Sequence, residues 1–148
     1  MRVLVCGSRD WTDRELVDER LDAVMENMLD IYERTMGKLT VVHGACADPK
    51  TKQLIGADGF ADDWAKRRGF STDPYPADWH PWPEEPTRLD RSAGPRRNAL
   101  MASRGKPDIV LAFSWVTASG KLTDGTDDMV KKALAACVPV RIWTARQP

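Results

Sequence analysis

Five short apolar runs, separated by four stretches of helical spacing, constrain this chain more than anything else in it. The runs are Arg2–Cys6, Leu39–His43, Phe70–Tyr75, Ile109–Phe113 and Val138–Trp143. Arg2–Cys6 is rich in β-branched residues and reads as a buried strand, Ile109–Phe113 is the most apolar of the five, and Phe70–Tyr75 is the weakest. Thr12-Asp13-Arg14-Glu15 has the form of a capping box, with Thr12 as cap. Val17, Leu21, Val24, Met25, Met28 and Tyr32 then follow on one helical face, and Gly37 is placed to end that helix. Asp58 opens a second helix carrying Phe60, Ala61, Trp64 and Ala65, stopped by Gly69. Gly94-Pro95 starts a third that runs to about Arg104, and Thr126–Ala136 is the fourth. Pro74, Pro76, Pro81, Pro83 and Pro86 forbid regular structure between the third strand and third helix, and Ser114–Asp124 is a second loop. Strands too apolar to face water, alternating with helices, predict an α/β fold. One domain over residues 1–148 would hold a mainly parallel five-stranded sheet with helices on both faces.

The length of 148 residues and a 42% hydrophobic content suit one such domain. Basic and acidic residues balance at 22 each, so no globally basic surface is offered to nucleic acid. No apolar run approaches the ~20 residues of a membrane span. The N-terminal run is too short for a signal peptide, and it meets Gly7-Ser8-Arg9-Asp10 at once. Cys6, Cys46 and Cys137 are odd in number and lack Cys-x-x-Cys spacing, and His43 and His80 are the only histidines. The expectation is a reduced, cytoplasmic protein with no metal site and no cofactor, in which Cys6 and Cys137 are small buried residues.

In an open parallel sheet, ligands bind beyond the carboxyl ends of the strands, where the strand order reverses. The loops at that edge carry the candidate site. Gly7-Ser8-Arg9 follows the first strand; it lacks the second and third glycines of a dinucleotide fingerprint, and no Walker motif is present. Arg9 could clamp a phosphate with its planar fork, or be a surface arginine. His43 and Gly44 follow the second strand; His43 is either a buried hydrogen-bonding residue or a base. Asp58 is either a ligand contact or a helix cap. Asp78 and Trp79, with Trp82 near them, could give a base an aromatic wall and a ribose hydroxyl a carboxylate, or could pin the proline-rich loop. Arg96, Arg97 and Asn98 sit in the first turn of a helix, where cations oppose the dipole unless an anion or a nearby carboxylate compensates. Arg88 and Arg91 could extend that patch. Gly125 and Thr126 open the fourth helix, where backbone N–H groups favour an anion; Asp124 or Thr126 could equally be a cap.

Taken in order, these motifs resemble the SLOG superfamily, the Rossmann-like group that contains DprA/Smf and the LOG phosphoribohydrolases. Within it they are most similar to the YspA/YpsA-related branch of small bacterial and phage proteins. The resemblance rests on Gly7-Ser8-Arg9-Asp10-Trp11, His43-Gly44 with Gly56-Ala57-Asp58, Trp64-Ala65, and Pro76-Ala77-Asp78-Trp79. It continues through Gly94-Pro95-Arg96-Arg97-Asn98, Met101, Pro107-Asp108 with Val110-Leu111-Ala112-Phe113, and Gly125-Thr126. It implies a Rossmann-like sheet and a pocket for a nucleotide, nucleotide sugar or related phosphorylated ligand. Gly7, Ser8 and Arg9 would line the crevice beside Arg97 and Asn98, and Gly125 and Thr126 would cradle the phosphate. If the gene is a phage one, the compartment is the host cytoplasm.

Two departures bear on function. Residues 45–55 lengthen the usual link between His-Gly and Gly-Ala-Asp, as a lid, a partner surface or a tolerated insertion. The hydrolases carry Pro-Gly-Gly-x-Gly-Thr-x-x-Glu with a catalytic Glu, whereas here Met129 holds the Glu position and Ser119-Gly120-Lys121-Leu122-Thr123-Asp124 replaces the double glycine. Asp127 and Asp128 are one or two residues out of place, and one helical residue turns a side chain by about 100°. The reading is a binding module that senses or sequesters a nucleotide-type ligand. The alternatives are an N-glycosidase using Asp78, Asp127 or Asp128, and DprA-like nucleic-acid binding, which the charge balance opposes. Six tryptophans, and the pairing common in that superfamily, add the expectation of a homodimer.

Overall fold

A computed structural model describes residues 1–35 and 39–146. Its elements run β1 (Arg2–Gly7), α1 (Arg14–Thr35), β2 (Thr40–His43), α2 (Gly56–Arg67), β3 (Ser71–Pro74), α3 (Ala93–Ser103), β4 (Ile109–Val116), α4 (Asp124–Ala135) and β5 (Val140–Arg146). All strands are parallel, in the order β3-β2-β1-β4-β5. The chain therefore reverses direction across the sheet between β1 and β4, and this is the switch point.

The two-residue period of the strands builds a core on each face. Val3 and Val5, aligned with Val41, Ile109 and Leu111, pack under Val17, Leu21 and Val24 of α1 and under Ala57, Ala61, Trp64 and Ala65 of α2. Leu4, Cys6, Val42, Val110 and Ala112 face the other way, onto Met101 of α3 and Met129, Val130 and Ala133 of α4. Helices thus cover both faces. Burial pushes the Cys6 thiol far up, leaving it a packed apolar group.

Several boundaries move for identifiable reasons. Gly37, read as the stop of α1, lies outside the described residues. The cap of α1 is Asp13, not Thr12: Leu16 N–H donates to Asp13 Oδ1 at 2.9 Å. Ser114-Trp115-Val116, expected in a loop, complete β4 and pair with Thr144-Ala145-Arg146 of a correspondingly longer β5. The Ser114 hydroxyl is tolerated in the strand because it donates to the Trp115 carbonyl at 2.8 Å and accepts from Thr123 N–H at 3.1 Å. α4 starts at Asp124, two residues early. Cys137, expected to be buried, is exposed in the left-handed region (φ 57°), just past α4. There Val138 N–H reaches the Ala133 carbonyl at 2.9 Å, closing the helix end. Trp11, Trp64 and Trp115 are buried within the chain, so the tryptophan count does not by itself argue for an interface.

Candidate functional site

The carboxyl ends of β1, β2 and β3 raise three loops around a cavity of about 530 Å³. The first contributes Arg9. The second contributes Gly44 through Pro49 and Lys52. The third contributes Pro76, Ala77, Trp79, His80 and Leu89, and Arg97 enters from the first turn of α3.

Residues 46–55, the body of the insertion, form an ordered hairpin. Ala47 and Leu54 bridge antiparallel, Asp48 N–H donates to the Gln53 carbonyl, and Ile55 N–H to the Cys46 carbonyl, both at 2.9 Å. Asp48 Oδ1 accepts N–H bonds from Lys50 and Thr51 at 2.9 and 2.7 Å; the Thr51 and Lys50 amides hold that carboxyl below its ordinary range. The base of the hairpin is tied inward: Ala45 N–H donates to His43 Nδ1 at 3.2 Å, and Cys46 N–H to Asp58 Oδ2 at 3.1 Å. Because Nδ1 accepts, the His43 proton lies on Nε2, which donates to Asp62 Oδ1 at 3.2 Å. His43 is thus fully buried with both nitrogens occupied.

Asp58 is buried in the first turn of α2, and burial pushes its carboxyl up. Arg97 is the foremost opposing influence, followed by His43 and by the amides of Cys46 and Gly44. Arg97 itself donates from Nη1 to the Gly44 carbonyl and from Nε to Asn98 Oδ1 at 3.0 Å. A Cβ on Gly44 would occupy the guanidinium's place, so the glycine is what lets Arg97 cross the end of β2. Asn98 is buried, and its Nδ2 donates to the Gly125 carbonyl at 3.1 Å and Asp128 Oδ2 at 2.8 Å, joining α3 to α4.

The aromatic wall is anchored from below. Asp90 N–H donates to the Trp79 carbonyl at 2.8 Å, while Asp90 Oδ1 accepts from Ser92 N–H and Oγ–H and Oδ2 from Arg96. The Ser92 hydroxyl and Arg96 hold the Asp90 carboxyl down to about 2. Arg96 therefore has its carboxylate within the fold, and Arg88 pairs with Glu85 and lies over the Trp82 ring at 4.1 Å; neither lines the cavity. Trp79 leans its ring edge toward Gly94.

The remaining candidates lie elsewhere. A Cβ on Gly7 would press on the Phe113 carbonyl and, at 2.7 Å, on Ala57; that glycine is closed in by the sheet. At the switch point the Ser8, Ser114, Thr123 and Thr126 hydroxyls form one cluster, with Ser8 to Thr123 at 3.1 Å and Thr123 to Thr126 at 3.0 Å. Thr126 is buried within it, while Gly125 is exposed beside it. Asp78 is exposed and accepts from His80 N–H at 3.3 Å. Asp127 pairs with Lys131 at 2.5 Å, Asp128 holds Lys132 and Asn98, and Met129 is fully buried in the core. Of the expected ligand residues, Arg9, Gly44, Trp79 and Arg97 line the cavity. Cys46, Asp48, Lys52, His80 and Leu89 line it without having been expected as ligand contacts. The length and charge of the insertion were the available signal for the first three. Burial, and then Asp58, raise the Cys46 thiol, so it is a wall residue in its thiol form.

The charges around the cavity are unbalanced. Arg2, Arg14, Arg67, Arg68, Arg96, Lys66, Lys131 and Lys132 all have carboxylates within 4 Å. Among the described residues, Arg9, Lys52 and Arg97 have none that close, nor do Lys50, Arg91, Arg104, Lys106, Lys121, Arg141 and Arg146, but only the first three line the cavity. No group of three His, Cys, Asp or Glu side chains among the described residues is placed to hold a metal ion. No helix among them is long and apolar enough to cross a membrane.

The profile of the YspA, cpYpsA-related SLOG family (YAcAr) matches residues 1–82. Gene 61 protein of Mycobacterium phage D29 is 33% identical over 144 residues, covering 94% of this chain and 93% of the phage protein. No solved structure matches significantly.

Proposed function

The chain belongs to the YspA, cpYpsA-related SLOG family, and on that premise we propose that its crevice binds a nucleotide or nucleotide-derived phosphorylated ligand, as a sensor or sequestering module. One observation carries this reading: Arg9, Lys52 and Arg97 line a single cavity together with Trp79, with no carboxylate of the described residues within 4 Å of them and with Asp48 and Asp58 acting on Lys52 and Arg97 only at longer range. Gathering like charges is unfavourable unless something compensates, and an anionic ligand is the missing partner. Trp79 offers a π face to a base. A volume of about 530 Å³ falls in the range of small-molecule sites.

What favours binding over N-glycosidic cleavage is the engagement of the carboxylates. Asp127 and Asp128 each hold a lysine, Asp78 is exposed and does not line the cavity, and Met129, which the resemblance places at the hydrolase Glu, is buried in the core. The experiment is mass spectrometry of the purified protein equilibrated with AMP, NAD, ADP-ribose and cyclic ADP-ribose. Retention of an intact nucleotide, released by Arg9→Ala and Arg97→Ala, is the expected result. Free base plus ribose phosphate would instead establish turnover.

A further inference from the structure

The link at residues 45–55, which the sequence resemblance marks as long, carries a feature that a mere connection does not need. Lys52 adopts φ 61°, the left-handed region where a Cβ is penalised and where glycine or asparagine is the usual occupant. Its N–H closes the hairpin turn onto the Asp48 carbonyl at 2.9 Å. The turn would therefore form at least as readily with glycine. A lysine there puts a charge on the cavity wall beside Arg9 and Arg97, and no carboxylate among the described residues lies within 4 Å of it. The one hairpin carboxylate in that wall, Asp48, has Oδ1 engaged by the amides of Lys50 and Thr51, and the Lys52 charge acts on it only at longer range. The hairpin is not loosely attached either, because His43 and Asp58 fix its base from the buried side.

We propose that Lys52 is a ligand-contacting residue. The hairpin serves to carry its ammonium to the phosphate of the bound nucleotide, completing a three-cation site with Arg9 and Arg97. This rests on the reading of the cavity as a nucleotide site and adds to it a residue and a purpose for the insertion. A strained conformation is kept where the side chain it presents is needed.

Stability and binding should then move in opposite directions, which a structural role for Lys52 would not produce. Calorimetric titration with AMP and with adenosine, together with thermal melts, tests this on wild type, Lys52→Gly and Lys52→Arg. Lys52→Gly should weaken AMP by about tenfold at low salt, as expected for loss of a charge-assisted contact. It should leave adenosine unchanged and the melting temperature equal or higher. Lys52→Arg should keep AMP affinity within about twofold. Wild-type AMP binding that Lys52→Gly leaves intact, or a loss shared equally by AMP and adenosine, overturns the assignment of Lys52 while leaving the nucleotide site standing. Failure of the wild-type protein to bind AMP, ADP-ribose or inorganic phosphate overturns both.

Discussion

Replacing Arg97 by alanine tests the electrostatic economy of the crevice, because the guanidinium faces two ways. Toward the interior it is the foremost counterweight to the burial of Asp58 and a donor to the Gly44 carbonyl. Toward the cavity it is one of three cations without a carboxylate within 4 Å. Stripping the partner from a fully buried charge costs about 3–5 kcal/mol. Asp58 keeps the Cys46 N–H and Arg97 is only half-buried, so a loss of about 2 kcal/mol is expected once the freed Gly44 carbonyl is included. For a chain of 148 residues that corresponds to a fall of about 6 °C in Tm. The loss should depend on pH with a definite sign. The Asp58 carboxyl is raised in the folded protein, and removing Arg97 raises it further. The folded variant then holds a proton that the unfolded chain has released, so its stability falls as pH rises above the ordinary carboxylate range. Paired thermal melts of wild type and Arg97→Ala at pH 4.5 and 7.5 read this directly, since titrations common to both proteins cancel in the difference. A deficit larger at pH 7.5 is expected. A deficit equal at the two pH values, or larger at 4.5, would refute the coupling of Asp58 to Arg97.

Three further outcomes follow from the packing. Asp13→Ala should cost about 1 kcal/mol in chemical denaturation, as the lost cap of α1, whereas Thr12→Ala should cost much less; the reverse order would return the cap to Thr12. The Asp90 carboxyl, held down to about 2 by the Ser92 hydroxyl and Arg96, contributes stability that is present above roughly pH 4 and lost as pH falls through the folded value. Acid titration should therefore erode wild type more than Asp90→Asn, and parallel curves would contradict the tether. The chain should also pair with itself: β5 is an edge strand, and Leu134 and Ile142 are exposed. Light scattering at micromolar concentration should give twice the chain mass of 16.6 kDa, and the chain mass alone would refute a dimer.

The layers of the fold were legible because the apolar patterns of β1 and β4 have to satisfy two covered faces at once, whereas β3 and β5, expected to be buried, are largely exposed as the edge strands of the sheet. Val3 and Val5 serve one core and Leu4 and Cys6 the other, and that demand is visible in four consecutive residues. What the pattern hid was polar burial. Ser114 looks like loop in a linear reading, yet its hydroxyl is satisfied locally and the strand runs on through it. The site was half legible for the same reason. Arg9 and Gly44 stand out in short glycine-containing turns after strands, Arg97 at a helix start and Trp79 in a proline-rich loop. Arg96 stands out equally, and only the fold reveals that Asp90 neutralises it. His43 and Asp58 sit at the right edge of the sheet but turn inward, and their effect on the cavity passes through the backbone of Ala45 and Cys46. Lys52 was legible only as one charge of the long 45–55 link, because the left-handed turn and the cavity wall that place it have no linear signature.

The most direct test of the nucleotide site is a crystal structure of the protein with AMP bound. The base should lie against Trp79 and the phosphate within hydrogen-bond reach of Arg9 and Arg97, beneath the 46–55 hairpin. AMP seated at the exposed Gly125 end of α4, or anywhere that leaves the three cations uncovered, would contradict it.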